Sequence, residues 1–128
     1  ALGAEGVQMG SRFVATPEAS AHSAFKNEVL AAAEGATQLT LKELAPVRLI
    51  KNPFYERVAA AYARGASTDE LRELLGRGRA KKGMREGDLV EGELEIGQVA
   101  SRIDALRPAA DIVRETAQQC AQTLRNLC

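Results

Sequence analysis

The residues of this chain best suited to binding chemistry lie near its amino terminus, where Gly10 and Ser11 follow a short apolar run. Val7–Met9 stand between two glycines, a pattern typical of a brief buried strand, which would deliver Gly10 and Ser11 at its carboxyl end. Glycine lets backbone N–H groups approach an anion closely, and a serine hydroxyl adds a donor. We therefore predict a phosphate site at the amides of Gly10 and Ser11; a plain turn after a strand is the alternative.

Two further polar features could take part in binding. Gln98 points away from the apolar residues that surround it in sequence, so it either faces water or lines a cavity. The basic stretch Arg77, Arg79, Lys81 and Lys82 could receive an anionic ligand or an acidic protein surface, or could be a solvated loop.

The single histidine and the two cysteines have simpler interpretations. His22 shares a helix side with Phe25 and Val29, which favours a histidine at the edge of the core over a catalytic group. Cys120 and Cys128 form no CxxC pair and no cluster with histidine, so we expect no metal site and no disulfide framework. Reduced thiols in a cytoplasmic protein are the expected state.

Composition excludes several classes of partner. The chain has 128 residues, enough for one domain with a modest core, and 17 basic residues balance 17 acidic ones. This balance gives no attraction to nucleic acid or to an anionic membrane. No apolar run reaches the roughly 18 residues of a membrane span, and the amino terminus does not resemble a secretion signal. We expect a cytoplasmic protein.

Local signals predict mainly helices after the first strand. Thr16-Pro17-Glu18 is typical of a helix start, and that helix should run to about Glu34. A second helix should begin at Pro53 and stop before Gly65. Ser67 and Glu70 form a capping box for a third, which should end at Gly76.

The remaining segments are less regular. Thr37–Leu41 fits a strand or a loop, and the apolar segment 44–50 is interrupted by Pro46. Ile96–Leu106 has helical spacing, and a last helix after Pro108 should carry one apolar stripe, which could fill a core or bind a partner: Val113, Ala117, Cys120, Leu124 and Leu127. Since a single strand makes no sheet, the chain is either all-helical or separated from further strands.

The motifs resemble a known family of flavoenzymes. ALGAEGVQMGSRF, residues 1–13, resembles the eighth-strand segment of flavin-binding (β/α)₈ barrels, and inosine-monophosphate dehydrogenases have a similar segment. Four further segments resemble a narrower family, FMN-dependent enoyl-acyl-carrier-protein reductase II and its nitronate monooxygenase (2-nitropropane dioxygenase) relatives. These are Ala21-His22, Phe25-Lys26, LKELAPVRLIKN and ELEIGQVAS, while GRGRAKKGM and EGELEIGQ are similar to the reductase branch.

The resemblance implies an α/β fold class, the carboxy-terminal segment of a (β/α)₈ TIM barrel followed by a mainly helical cap and terminal helices. Residues 1–36 would be the end of the barrel with its FMN phosphate-binding strand, 37–107 the cap, and 108–128 the carboxy-terminal helix. The cap should consist of short helices, with no parallel strand between Gly76 and Glu95. The chain is about half the length of a full barrel.

The resemblance also implies a function for the intact protein. Gln8, Met9, Gly10 and Ser11 would contact FMN, and Gln98 would line the substrate cavity. NADH or NADPH would reduce an acyl-carrier-protein-linked or small substrate, while nitronate oxidation by dioxygen is the alternative. The family's catalytic histidine has no match here, so we expect no catalytic residue in this segment. The remainder of the barrel would be a partner, and a second copy in a homodimer is a further option. A free-standing helical interaction module is the hypothesis from another class.

Overall fold

The structure is a computed structural model that describes residues 3–127. Ala1 and Leu2, where the sequence predicts the end of a helix, and Cys128 lie outside the described residues. Six α-helices, two strands and one 3₁₀ helix follow one another in the described part: α1 Ser11–Val14, α2 Ser23–Ala31, β1 Thr37–Thr40, β2 Val47–Ile50, α3 Pro53–Ala63, α4 Thr68–Leu75, α5 Arg79–Met84, the 3₁₀ helix Gln98–Arg102 and α6 Ala109–Leu127.

The predicted strand at Val7–Met9 is wrong. Residues 4–9 have no regular secondary structure, and Val7 is 73% exposed. A strand forms only where a neighbouring strand pairs with its backbone groups. The two strands in residues 3–127 pair with each other, so this apolar run has no strand partner there.

The first long helix is shorter than the sequence predicts, because α2 begins at Ser23 and not at Pro17. The Thr16 hydroxyl accepts a hydrogen bond from the Ala19 amide at 3.2 Å, which closes a turn and not a helix. Lys26 is 7% exposed, and its ammonium group donates to the carbonyls of Thr16 at 2.7 Å and Ala19 at 2.8 Å. These bonds hold residues 16–19 outside the helix, and His22 then caps it.

The ambiguous segments form an antiparallel hairpin. β1 pairs with β2 so that Thr37 faces Ile50 and Thr40 faces Val47. Pro46 lies in the connection, directly before β2, so its missing N–H interrupts no ladder bond. The chain later returns beside β2, where the Ile50 amide donates to the Leu94 carbonyl at 2.9 Å.

Most of the predicted helices of the cap, residues 37–107, are confirmed. The Asn52 side chain caps α3 by accepting from the Tyr55 amide at 3.0 Å, and the predicted capping box of Ser67 and Glu70 opens α4. Gly76, with φ 62°, ends α4. The stretch expected as a basic loop instead contains α5, and no parallel strand lies between Gly76 and Glu95, as predicted.

Two apolar clusters fill the interior. The first joins α2 to the segment that passes beside β2: Ala15, Phe25, Val29, Ile50, Leu94, Ile96, Ala100 and Ile103. The second lies between the hairpin and α3–α4: Leu41, Leu49, Phe54, Val58, Ala61 and Leu71. β2 contributes Ile50 to the first cluster and Leu49 to the second, so residues of the cap take part in both.

The carboxy-terminal elements are more open. The α-helix expected from Ile96 to Leu106 is not formed, and this region contains the short 3₁₀ helix Gln98–Arg102 instead. In α6, Ile112 is buried, whereas Val113, Leu124 and Leu127 are 56%, 52% and 63% exposed. None of the helices in residues 3–127 is long and apolar enough to cross a membrane. The described fold is α/β, mainly helical with one small sheet.

Candidate functional site

Gly10 and Ser11 lie at the beginning of a helix. Gly10 precedes α1 as its N-cap residue, and Ser11 is the first helical residue. Within residues 3–127, the amides of Gly10, Ser11 and Arg12 have no protein acceptor, because the first N–H groups of a helix have no carbonyl one turn earlier. No atom lies within 4 Å of where a side chain would begin on Gly10. Unpaired amides beside open space suit an anion.

The Ser11 side chain connects this helix start to the cap. Its hydroxyl oxygen accepts a hydrogen bond from the Gly97 amide at 3.0 Å, across 86 positions of sequence. A Cβ atom on Gly97 would lie 2.7 Å from that oxygen, so a side chain there would displace the Ser11 hydroxyl. The structure therefore brings the predicted phosphate site next to Gly97, the residue before Gln98.

Two further bonds hold the same pair of segments together. The Arg12 guanidinium donates to the Ala105 carbonyl at 2.9 Å, and the Arg107 amide donates to the Ala15 carbonyl at 3.4 Å. The start of α1 and residues 97–107 thus form one connected unit.

Gln98 is exposed and lines a cleft of about 600 Å³. We name this the polar cleft, because most of its lining side chains are charged or polar: Glu34, Gly35, Thr37, Arg48, Gln98, Val99, Ser101 and Arg102. A space of this volume is within the range of small-molecule sites. The role of Gln98 toward a substrate stays a prediction.

Gln8 and Met9, the other two residues predicted to contact a cofactor, are exposed and lie in the irregular segment. Met9 lines an apolar depression against α6, together with Val113 and Cys120. The structure places Gly10 and Ser11 beside the cap, whereas Met9 contributes to a different surface.

His22 has a structural position. Its Nδ1 atom accepts from the Ala24 amide at 3.1 Å as the N-cap of α2, and its own amide donates to the Met84 carbonyl at 2.8 Å. Its ring also occupies the space above Gly87, where a Cβ atom would lie 2.2 Å from Nδ1. The predicted position within a helix at the edge of the core is wrong, because His22 precedes α2 and its ring is exposed.

The basic stretch is largely neutralised within the chain. Arg79 bonds to the carboxylate of Glu91 at 3.1 Å and its guanidinium lies 4.5 Å from the centre of the Phe54 ring. Arg57 makes two bonds to the same carboxylate, at 2.7 and 2.8 Å. These two arginines hold the pKa of Glu91 below its ordinary value, Arg57 contributing most. Lys81 and Lys82 pair with Glu86 and Asp88.

Glu93 is an unusual carboxyl group next to this network. It is 8% exposed, and burial raises its pKa to about 7; the negative charge of Glu95 adds to the increase, and Arg79 opposes it. The group therefore changes charge near neutral pH.

Two arginines of the polar cleft were missed by sequence reasoning. Arg48 lies on β2 and Arg102 at the end of the 3₁₀ helix. A signal existed for Arg48, a charged residue within the otherwise apolar run 47–50. No group of three or more metal-binding side chains occurs in the part of the chain that the structure describes.

Comparison with known proteins gives consistent matches. The family model for nitronate monooxygenase matches residues 1–119. The solved structure of FabK from Thermotoga maritima matches with a TM-score of 0.86 and 31% sequence identity, over 98% of this chain and 40% of that one. Its M276A mutant matches with a TM-score of 0.78 and 30% identity, over 98% of this chain and 37% of that one. The chain thus spans about two fifths of the length of these structures.

Proposed function

Because the chain belongs to the nitronate monooxygenase family, we propose that it is part of an FMN-dependent oxidoreductase. The proposed reaction is the reduction of the double bond of an enoyl-acyl-carrier-protein thioester by NADH or NADPH, a step of fatty acid synthesis. The activity is proposed for the full-length protein, since the matched structures are more than twice as long as this chain.

One observation carries the proposal. The amides of Gly10, Ser11 and Arg12 begin a helix, have no acceptor among the described residues, and adjoin the cap through the bond from Gly97 to Ser11. These residues fit a phosphate group, because aligned backbone N–H groups favour an anion and Gly10 leaves room for one. Bound FMN would supply the hydride chemistry that amino-acid side chains lack.

The remaining residues have positioning roles in this proposal. The hydrogen of the Ser11 hydroxyl is free to donate to a phosphate oxygen, because the Gly97 bond uses the oxygen as an acceptor. Gln8 and Met9 extend the proposed cofactor segment. Gln98 would offer its amide to a substrate in the polar cleft. No catalytic group is assigned within this segment, His22 being committed to capping.

Two observations favour the reductase over the nitronate oxidase. GRGRAKKGM and EGELEIGQ are similar to the reductase branch, and the matched structures are those of FabK (enoyl-acyl-carrier-protein reductase II). The family model, in contrast, bears the name of nitronate monooxygenase. NADH-dependent reduction of a crotonyl thioester, set against oxygen uptake with an alkyl nitronate, separates the two. Oxygen uptake without thioester reduction would replace the first activity with the second.

A substitution at Gly10 tests the cofactor site. Gly10→Val should weaken FMN binding at least about tenfold, because the side chain would occupy the space proposed for the phosphate. The fold should be unaffected, since nothing lies within 4 Å of the added carbon. Ala60→Val is the control, because Ala60 is exposed on α3 and lies outside the proposed site. Flavin fluorescence titration gives both affinities, and an unchanged Gly10→Val affinity contradicts the proposed site.

We further propose that the rest of the barrel, or a second copy in a homodimer, covers the apolar surface left by residues 4–9 and α6. Val7, Met9, Val113 and Leu124 are exposed on this surface. A free-standing helical interaction module would use the same surface for an unrelated partner. Flavin absorbance in the purified full-length protein favours the enzyme, and a colourless protein favours the module.

A further inference from the structure

We propose that the polar cleft is a receptor for an organic phosphate, with Arg48 and Arg102 as its anion-binding residues. The inference rests on the proposed function, since it names the chemical class of ligand that would enter beside the flavin site. It extends that function because neither arginine belongs to the proposed FMN-binding segment, residues 8–11.

The charge distribution of the cleft favours an anion. Arg48 and Arg102 both line it, and among residues 3–127 neither has a carboxylate within 4 Å. Glu34 is the one carboxylate among the lining side chains, so positive charge is in excess. Arg57 and Arg79 of the cap differ from these two arginines, because both pair with the carboxylate of Glu91.

Arg48 is held in place by the hairpin. It lies opposite Leu39 in the strand register, and its guanidinium donates to the Thr37 carbonyl at 3.4 Å and to the Thr37 hydroxyl at 3.3 Å. These contacts use one terminal nitrogen, which leaves N–H groups on the other nitrogens for a ligand. A half-buried, positioned arginine loses little freedom when it binds.

Arg102 lines the cleft from a separate segment of the chain. It ends the 3₁₀ helix, is exposed, and its side chain makes no hydrogen bond to any residue in the described range. Gln98 and Ser101, on the same short helix, add neutral polar groups to the lining. A planar guanidinium group binds two phosphate oxygens at once, so two such groups in one cleft suit a phosphate ester.

The volume fits a ligand larger than a free phosphate. About 600 Å³ accommodates an extended organic molecule. Two ligands share the required chemistry: a nicotinamide dinucleotide, through its phosphates, and a pantetheine thioester, through the phosphate of its arm. Gln98 of the cleft directly follows Gly97, whose amide donates to the Ser11 hydroxyl oxygen, so one short segment connects the cleft to the proposed flavin site.

Calorimetric titration of the full-length protein tests the proposal and separates the two ligands. NADPH represents the dinucleotide, coenzyme A the phosphorylated pantetheine arm, and pantetheine the same arm without phosphate. Arg102→Gln is the principal variant, because this side chain supports no other part of the described structure. Arg48→Lys keeps the charge but loses the planar fork, and Arg64→Gln is the control, an exposed arginine outside the cleft.

Arg102→Gln should raise the dissociation constant of NADPH or of coenzyme A at least about tenfold. Arg48→Lys should raise the same constant by less, and Arg64→Gln should leave it unchanged. The ligand whose dissociation constant rises in Arg102→Gln identifies the source of the phosphate. The dissociation constant of pantetheine should be the same in all variants. Affinities for both NADPH and coenzyme A that stay within about twofold, or that change equally in Arg64→Gln, would overturn the proposal.

Flavin absorbance of the same samples distinguishes this failure from failure of the proposed function. If the protein is yellow but Arg102→Gln leaves the affinities for NADPH and coenzyme A unchanged, the phosphate receptor is refuted and the oxidoreductase is still supported. A colourless protein that binds coenzyme A or NADPH through Arg102 supports the receptor and refutes the oxidoreductase.

Discussion

The cap buries many of its large apolar side chains, whereas the terminal segments leave most of theirs exposed. In the cap, Leu49, Phe54 and Val58 are fully buried, and both apolar clusters are closed by residues of the same chain. In α6, which is longer than any helix of the cap, Ile112 is the residue that is buried. A long amphipathic helix with one buried residue gains little from the surface it contacts.

The polar groups follow the same division. Asn52 in the cap donates from its amide to the carbonyls of Leu89 and Gly92, at 2.8 and 2.9 Å, so a buried polar side chain is satisfied by neighbours. The amides at Gly10 and Ser11 have no such partner among residues 3–127. The cap is thus stabilised internally, and the terminal segments present surface and donors that other groups can use.

The largest expected effect on the free energy of unfolding comes from removing the aromatic side chain of Phe54 in the second cluster. Phe54→Ala should lower the free energy of unfolding by about 3–5 kcal/mol, because it leaves a cavity and removes the ring beneath Arg79. Leu124→Ala on α6 should change it by less than about 0.5 kcal/mol within this chain, since Leu124 is 52% exposed.

Urea unfolding followed by circular dichroism measures both changes. Comparable losses in the two variants would remove the distinction between cap and terminal helix. A large loss for Leu124→Ala in the full-length protein but not in the 128-residue chain would sharpen it, because it would show that additional residues cover α6.

A smaller loss of stability is expected when Gly83 in α5 is replaced by alanine, because two backbone segments lie close together there. A Cβ atom there would lie 2.3 Å from the Glu93 carbonyl oxygen. Alanine is favoured over glycine in a helix by about 1 kcal/mol, but the backbone clash should outweigh this, so that Gly83→Ala destabilises by about 2–3 kcal/mol. Gly6→Ala, with nothing within 4 Å, should be neutral. Thermal unfolding of both variants decides the point, and a stabilised Gly83→Ala protein would mean that the two segments separate easily.

The smallest expected effect concerns Glu93 and pH. Its pKa of about 7 in the folded state exceeds the ordinary value of 4.5, so the folded state binds the proton more tightly. This contribution to stability is complete below about pH 4.5 and is lost as the pH rises through 7. Glu93→Gln, which cannot ionise, should therefore be more stable than the unsubstituted protein at pH 8, and the difference should disappear as the pH falls below about 4.5. Melting temperatures from pH 4 to 8 measure this, and parallel curves for the two proteins would show that the carboxyl is not buried as described.

Sequence signals predicted those elements that local hydrogen bonds specify. The capping box at Ser67 and Glu70, the proline at the start of α3 and the glycine that ends α4 are each satisfied within a few residues, so a short window contains the relevant interactions. The same reasoning failed at Thr16, whose hydroxyl makes a turn because Lys26, ten positions later, binds the adjacent carbonyls.

The wrong strand prediction and the unpredicted polar cleft have a related cause, since both depend on residues that are distant in sequence. Val7–Met9 has the composition of a strand, but a strand also requires a partner, and composition does not supply one. The polar cleft combines Glu34, Arg48 and Arg102, which no spacing rule connects. The predicted phosphate segment and Gln98 rested on resemblance, and their proximity through Gly97 appears only in three dimensions.

The path of the chain around the polar cleft has a consequence for how this protein can vary. The chain passes from α2 into the cap at residues 34–37 and returns at residues 98–102, and both stretches line the same cleft. A segment that departs and returns at adjacent points is an insertion in the topological sense, and such segments can be exchanged while their flanks stay in place. Replacing the middle of the cap should therefore leave the Gly10–Ser11 helix start intact. Under the proposed function, the cleft and the cofactor segment would then vary independently within one gene.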